Sequence, residues 1–370
     1  MSGDAGSGPA LPVGDRAARI AVVGGDGIGP EVTAEARRAL EAVRSAGLAR
    51  LEIEGFPHGA DHYLETGETL SEATFERLRD DFDAILFGAV GDPRIPENEH
   101  ARDLLLGLRV RLDLYVNLRP LRLRDPALSP LAETGTGIDW RIYRENTEGM
   151  YSGAGGHVRK GTADEVAVSE GVATRPGVER LVRAAFRDAA ASAPSGAPRR
   201  VTLAEKSNAV PHMYGLWRRV FREVADEHPE VEAETRYVDA LAMVREPGRF
   251  EVLVAENLLG DILSDLGAEL VGGPGLAPSA NVHPGRHGLY EPVHGSAPDL
   301  AGTGRANPMA AVLSAALMLR DLGFGDAADR VGATVDAALA EGVRTPDVGG
   351  DRTTGEVGRW IADRVGGGAG

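Results

Sequence analysis

The chain has 370 residues, with 40 lysines and arginines against 56 aspartates and glutamates, and a formal net charge of −16. That length suits roughly two domains around a substantial core, while the negative excess opposes nucleic acid or an anionic membrane surface as partner. The absence of cysteine removes disulfide scaffolds, thiolate metal sites and cysteine nucleophiles together.

Residues 1–18 carry neither a basic start nor an apolar stretch, and they read as a flexible tail. Arg19-Ile-Ala-Val-Val is a β-branched run ending at Gly24-Gly25, which predicts a buried parallel strand. A helix follows over 30–43, with proline in its first turn. A strand over 51–53, a helix over 71–79 and a strand over 84–87 complete a βαβ pattern. Further strands are expected over 139–143, 200–203 and 250–255, so the chain is α/β with a largely parallel sheet. Residues 189–198 (AAASAPSGAP) read as a surface connection, and the terminal GGGAG (366–370) as disordered. The apolar run Met309 to Leu319 is far short of the ~20 residues a membrane span needs. It predicts a buried helix, and a soluble cytoplasmic protein is the expectation.

Gly25-Asp26-Gly27-Ile28-Gly29 lies between a strand and a helix, yet its G-x-G-x-G spacing is not the dinucleotide fingerprint. Pro30-Glu31 then places a carboxylate where a pyrophosphate would seek the positive end of the helix dipole. The glycines therefore suit a loop lining some other part of a site.

Two constellations carry chemistry. Asp261 and Asp265 stand at i and i+4 of an expected helix, where like charges repel unless a cation lies between them. Asp239 follows the strand-like Arg236-Tyr-Val and completes an oxygen-only set suited to Mg²⁺ or Mn²⁺. On a regular helix Arg102, Leu105, Leu106 and Arg109 share one face. That mixture suits a ligand with both carboxylate and apolar parts. Arg119 and Arg144 lie downstream, the latter near Tyr151.

Seven motifs in order carry a resemblance: GDGIGPEV (25–32), LRVRLDLYVNLRP (108–120), YRENTEGMYSG (143–153), EKSNAV (205–210), VDALAM (238–243), ENLLGDILSDL (256–266) and EPVHGSAPDLAGTGRANP (291–308). Together they resemble the metal-dependent β-decarboxylating dehydrogenases, the family of isocitrate, homoisocitrate, 3-isopropylmalate, tartrate and D-malate dehydrogenases. The resemblance implies a two-domain isopropylmalate-dehydrogenase-like fold with a mostly parallel sheet, not a Rossmann fold. It pairs 19–115 with 272–370 as the cofactor domain and leaves 116–271 as the substrate, metal and dimerisation domain. It also implies that Arg109, Arg119 and Arg144 clamp the malate carboxylates, with Asn208 nearby. Tyr151 and Lys206 are then the acid/base pair, and Asp239, Asp261 and Asp265 the ligands of Mg²⁺ or Mn²⁺. The lysine and Asp239 are expected from the second subunit of a homodimer. Ile28, Glu291, His294, Gly295, Ser296, Ala297, Asp299 and Asn307 match the cofactor positions. A carboxylate at Asp299 suits a ribose 2′-hydroxyl and repels a 2′-phosphate, so NAD is expected.

The implied reaction is oxidative decarboxylation of a 3-substituted (2R)-malate. Leu105 and Leu106 point to 3-isopropylmalate, while RENTEGMYSG and EKSNA are nearer the tartrate/D-malate and homoisocitrate enzymes, and Ala209, where isopropylmalate enzymes usually have valine, implies a wider pocket. Arg102 would suit an added anionic substituent, as in a phosphonomethylmalate-like substrate. A non-catalytic regulatory subunit would have lost the lysine, the tyrosine or the metal aspartates, and all are present.

Overall fold

The computed structural model describes residues 11, 13–132, 137–192, 199–243 and 246–367. The end of the connection expected over 189–198 and the end of the GGGAG tail lie outside the described residues, as do residues 1–10 and 12. Strand β1 (Ala18–Gly25) leads into α1 (Gly29–Ser45) and β2 (Leu51–Phe56). After α2 (Ala60–Thr66) and α3 (Glu72–Asp80) the chain enters β3 (Ala84–Ala89). A broken helix follows: α4 (Glu99–Ala101), a π-turn over Arg102–Leu106, and α5 (Gly107–Arg111). Next come β4 (Val116–Arg122) and β5 (Asp139–Glu145), then a two-stranded ribbon of β6 (Gly155–Val158) and β7 (Val166–Ser169). The middle closes with α6 (Arg175–Ala191), β8 (Arg200–Glu205), α7 (Pro211–Asp226), β9 (Glu232–Tyr237), α8 (Val238–Ala242), β10 (Val252–Ala255) and α9 (Asn257–Leu270). The hairpin β11 (Pro278–His283) and β12 (His287–Pro292) precedes α10 (Met309–Asp321), α11 (Gly325–Ala340) and α12 (Thr354–Val365).

Ten strands form one sheet in the order β2-β1-β3-β12-β11-β4-β5-β10-β8-β9. Both flanks are parallel, as the β-branched runs predict. The centre is not: β11 pairs antiparallel with β12 and β4, and β4 with β5. Side chains alternate between faces along each strand, and the core divides accordingly. Ile20, Leu86, Val116, Tyr143, Leu203, Val254 and Tyr290 share one cluster with α1, α6, α7 and α10 to α12. Helix α10 is buried on nearly every side, as the apolar run interrupted only by Ser314 predicts.

The opposite face carries two separate clusters. One joins Val23, Ile85, Phe87 and Leu289 to Phe75, Leu104 and Leu108. The other joins Leu121, Trp140, Ile142 and Leu253 to Leu263 and Leu270 of α9. Between them, over the antiparallel centre, the strands present polar side chains. That gap is where the site lies.

Two sequence expectations change here. The N-terminal segment is not loose throughout, since Leu11 and Val13 are buried and donate backbone hydrogen bonds to Asp321 and Leu322 at the end of α10. Residues 102–109 are not a regular helix either. The Gly107 N–H bonds back to the Arg102 carbonyl, five residues away, which widens the turn and breaks the face that 3.6-residue spacing predicts. Leu104 and Leu108 are buried, Leu105 is half-buried, Leu106 is 38% exposed and Arg102 is exposed.

Candidate active site

The floor of the gap is a chain of buried amides. Asn117 on β4 accepts from Arg119 Nε at 2.8 Å and donates to Asn281 on β11 at 2.7 Å. Asn281 also accepts from Asn146 at 3.0 Å and donates to Glu291 on β12 at 2.8 Å. Glu291 Oε1 takes a second bond from Arg109 Nη2 at 2.7 Å. All six residues are buried. A buried charge persists only when paired and hydrogen-bonded, and this network meets that condition for Arg109, Arg119 and Glu291. It also ties two arginines from different elements to one strand register.

Helix α9 forms the wall. Glu256 caps its start, accepting from Leu259 N–H, Met150 N–H and the Tyr214 hydroxyl, each at 3.3 Å. The cap thus fastens the loop that carries Tyr151. Arg144 at the end of β5 donates through Nε to Asn257 O (2.9 Å) and Oδ1 (3.0 Å), and through Nη1 to Asp261 Oδ1 (2.5 Å). Gly260 makes this approach possible, because a Cβ there would lie 2.6 Å from Arg144 Cγ. Arg119 Nη1 reaches Ser264 Oγ at 2.5 Å, Asp261 at 3.2 Å and Asp265 at 3.6 Å. The Tyr151 hydroxyl, on a ring 45% exposed, donates to Asp261 Oδ2 at 3.1 Å.

Electrostatics follow from burial. Desolvation and the opposing arginine press the Arg144 guanidinium below its ordinary pKa, and Asp261 works against that shift. Burial, then Asp261, pushes the Tyr151 hydroxyl up, so it stays protonated at neutral pH. Partial burial and the Asp261 charge raise the Asp265 carboxyl. Two carboxylates are held side by side on one exposed edge of a helix, as their i and i+4 spacing predicts.

Lys206 and Asp239 form a separate ion pair, Nζ to Oδ1 at 2.9 Å, which holds the Asp239 carboxyl below its ordinary range. Among the described residues, neither bonds to the Asp261 cluster. Asp239, Asp261 and Asp265 do not converge within one chain: among the described residues, the only trio of His, Asp or Glu with ligand atoms within 4.8 Å of one another is His58, His62 and Glu68. Asn208 is exposed in the turn after β8.

Of the expected cofactor residues, Glu291 lies in the amide floor, while Ile28 and Ser296 meet where two loops touch. The Ile28 N–H donates to the Ser296 carbonyl at 2.8 Å. Gly27 has φ +59°, and a Cβ there would collide with that same carbonyl, so only glycine lets the two loops touch. Asp26, buried, holds this loop by accepting from Ala60 N–H (2.5 Å), Gly91 N–H (2.7 Å) and His100 Nε2 (2.7 Å). A cleft of about 550 Å³ opens between 90–98 and 295–298. Glu97, Asn98 and Ala297 beside it adopt positive φ, a strain of roughly 1–3 kcal/mol each that clusters at ligand sites. His294 Nδ1 bonds to the Gly295 carbonyl at 3.0 Å, leaving Nε2 unpartnered, and burial lowers the ring's pKa. Asp299 is exposed. Asn307 bonds Asp347 and the Met309 N–H, each at 3.0 Å, and so starts α10.

Asn117, Asn281, Asn257 and the 91–98 loop were not singled out from sequence. Asn117 lies inside LRVRLDLYVNLRP and Asn257 inside ENLLGDILSDL, so motif membership was the available signal. Asn281 carries none.

The family described as isocitrate/isopropylmalate dehydrogenase matches residues 19–361. A 3-isopropylmalate dehydrogenase of Thermobifida fusca is 47% identical, over 95% of this chain and 98% of its own. One from Streptomyces coelicolor is 45% identical, over 95% and 99%. Among solved structures, isocitrate dehydrogenase from Methylococcus capsulatus superposes with a TM-score of 0.84 at 35% identity, over 94% of this chain and 99% of that one.

Proposed function

The chain belongs to the isocitrate/isopropylmalate dehydrogenase family, and from that premise we propose that it oxidatively decarboxylates a 3-substituted (2R)-malate, with 3-isopropylmalate as substrate. The observation that carries this reading is the convergence of Arg109, Arg119 and Arg144 on one cleft beside Asp261, Asp265 and Tyr151.

The arginines take the substrate carboxylates, whose fork geometry they match. Asp261 and Asp265 fit a divalent Mg²⁺ or Mn²⁺, being paired carboxylates at a solvent edge with only oxygen ligands. When bound, such an ion supplies Lewis-acid stabilisation of developing oxyanion charge. NAD, when bound, would supply the hydride acceptor; Ile28, His294, Gly295 and Ser296 would hold it, and the exposed carboxylate of Asp299 would favour it over NADP. Tyr151, kept protonated, donates at C3 after CO₂ leaves, and Lys206, oriented by Asp239, relays the 2-hydroxyl proton.

Lys206, Asn208 and Asp239 act on the cleft of a second subunit. The separation of Asp239 from its two companions supports this. So does the β6–β7 ribbon, exposed at every residue including Val158, Val166 and Val168, because an isolated two-stranded ribbon is marginal in water. Residues 19–115 with 272–370 form the cofactor domain and 116–271 the substrate and dimerisation domain. No helix among the described residues is long and apolar enough to cross a membrane. A cytoplasmic location is part of the same proposal.

Leu105, half-buried against the Val23 and Phe87 cluster, and Leu106, 38% exposed, lie in the turn before Arg109 and support an apolar C3 substituent. The test is kcat/KM with NAD and Mn²⁺ across 3-isopropylmalate, D-malate, tartrate, isocitrate, homoisocitrate and phosphonomethylmalate. A preference for 3-isopropylmalate that shrinks in L105A/L106A supports the assignment. A flat profile, or preference for an anionic substituent, overturns it.

A further inference from the structure

His58 lies between β2 and α2, buried to 5% exposure, and neither ring nitrogen has a hydrogen-bond partner. His62 stands one turn along, its ring centroid 4.8 Å from that of His58, and its Nε2 is also buried without a partner. Glu68, exposed, follows the left-handed Gly67 that ends α2. One ligand atom from each residue lies within 4.8 Å of the others. The large majority of buried side-chain polar atoms have a hydrogen-bond partner, so those without one call for an explanation. Here three unpartnered ring nitrogens belong to two imidazoles that meet beside a carboxylate.

We propose that His58, His62 and Glu68 form a second metal site, selective for Zn²⁺-class ions and separate from the oxygen-only aspartate site. Two imidazoles and one carboxylate are a set that zinc accepts, with a fourth position left for water. Imidazole donors disfavour Mg²⁺ and favour Zn²⁺, Ni²⁺ or Cu²⁺. In a tetrahedral site, metal–ligand bonds of about 2.1 Å place the donors roughly 3.4 Å apart. The ligand atoms already lie within 4.8 Å of one another, and the closing that remains falls to Glu68, exposed beyond its glycine. The site adjoins Ala60, whose N–H is held by Asp26, so a bound ion would brace the helix that anchors the 25–29 loop.

The test counts Zn²⁺ bound to the full-length wild type and H62A by competition with a chromophoric chelator, in saturating Mg²⁺. Wild type should bind one equivalent more than H62A. E68Q should bind that equivalent at least about tenfold more weakly, since even outer-shell losses cost that much. Co²⁺ in place of Zn²⁺ should give a d–d absorption in wild type that H62A lacks. A metal-free melting temperature of H62A close to wild type separates a lost ligand from a lost fold, and E68Q, at an exposed position, provides the second variant. Equal Zn²⁺ stoichiometry in wild type and H62A, including none in either, overturns the proposal, as does unchanged affinity in E68Q.

Discussion

Gly260 occupies the interior of α9, where alanine ordinarily adds about 1 kcal/mol of helix stability. Here the added methyl would lie 2.6 Å from Arg144 Cγ and 2.8 Å from its Cβ, against an ordinary carbon contact of about 3.5–4.0 Å. Relief requires α9 and the Arg144 side chain to part by roughly 1 Å. Overpacking of this kind costs about 1–3 kcal/mol, so the helix gain offsets much of it and G260A should unfold within about 2 kcal/mol of wild type. Activity is a different matter. Arg144 grips both Asn257 and Asp261 on that helix, and a clamp misplaced by about 1 Å can lose on the order of 100-fold in rate. Steady-state NADH formation from 3-isopropylmalate, run beside urea unfolding, should show kcat/KM down about 100-fold with a modest change in midpoint. G267A is the control: its Cβ would sit 3.0 Å from Trp140 Cζ3 in the core behind the same helix, so it should lose stability while folded molecules keep their kcat/KM. A G260A enzyme within a few-fold of wild type would refute the claim that this glycine sets the position of Arg144.

Asn281→Leu removes a donor from Glu291 and an acceptor from Asn117 and Asn146. It should cost about 2–4 kcal/mol and lower kcat/KM at least tenfold, and a stability loss with unchanged kcat/KM would make the amide chain purely structural. Burial raises the Asp321 carboxyl from 3.8 to about 7, so the folded chain binds a proton that the unfolded chain releases. Its effect on stability is absent below about pH 4, grows as pH rises toward 7, and reaches a penalty on the order of 4 kcal/mol above that. Urea midpoints should therefore fall between pH 5 and 8 in wild type and stay flatter in D321N; parallel curves would exclude Asp321 as the cause. Under the two-subunit assignment, K206M and D261N are each inactive, yet a heterodimer regains one intact site. Refolding them as an equal mixture should restore about a quarter of wild-type activity, half the dimers being mixed with one good site each, and no recovery would place Lys206 in its own subunit's cleft.

The flanks of the sheet were legible because buried parallel strands show as β-branched runs, and residues 19–23, 84–87 and 200–203 have them. The centre was hidden by the same residues that give it its chemistry. Asn117, Arg119, Ser279, Asn281 and Glu291 occupy strand positions where apolar side chains would mark the pattern, so β4, β11 and β12 lose their strand signature where the site begins. Asp261 and Asp265 were readable from spacing, since α9 is regular through both. Arg102, Leu105 and Leu106 were misplaced because one π-turn defeats arithmetic built on 3.6 residues per turn. Asp239 could not be joined to the other aspartates from one chain's geometry, because the described residues keep them apart.

The charges in the cleft balance in an instructive way. Arg109 pairs with Glu291, and Arg119 and Arg144 share Asp261, with Asp265 beside them. Three guanidinium groups thus meet three carboxylates, and the site alone is close to neutral despite the −16 of the whole chain. Under the two-subunit assignment, the Lys206–Asp239 pair would add no net charge. A divalent cation would leave the cleft two units positive, matching the two carboxylates common to every malate substrate. The arginines would then exchange Asp261 for the substrate, because an aspartate engaged with a cation is a poorer acceptor for a guanidinium. Arg119 and Arg144 should consequently bind substrate weakly without the metal. A dicarboxylate affinity that rises with Mn²⁺ in wild type, and does not in D261N, is the binding signature of that exchange.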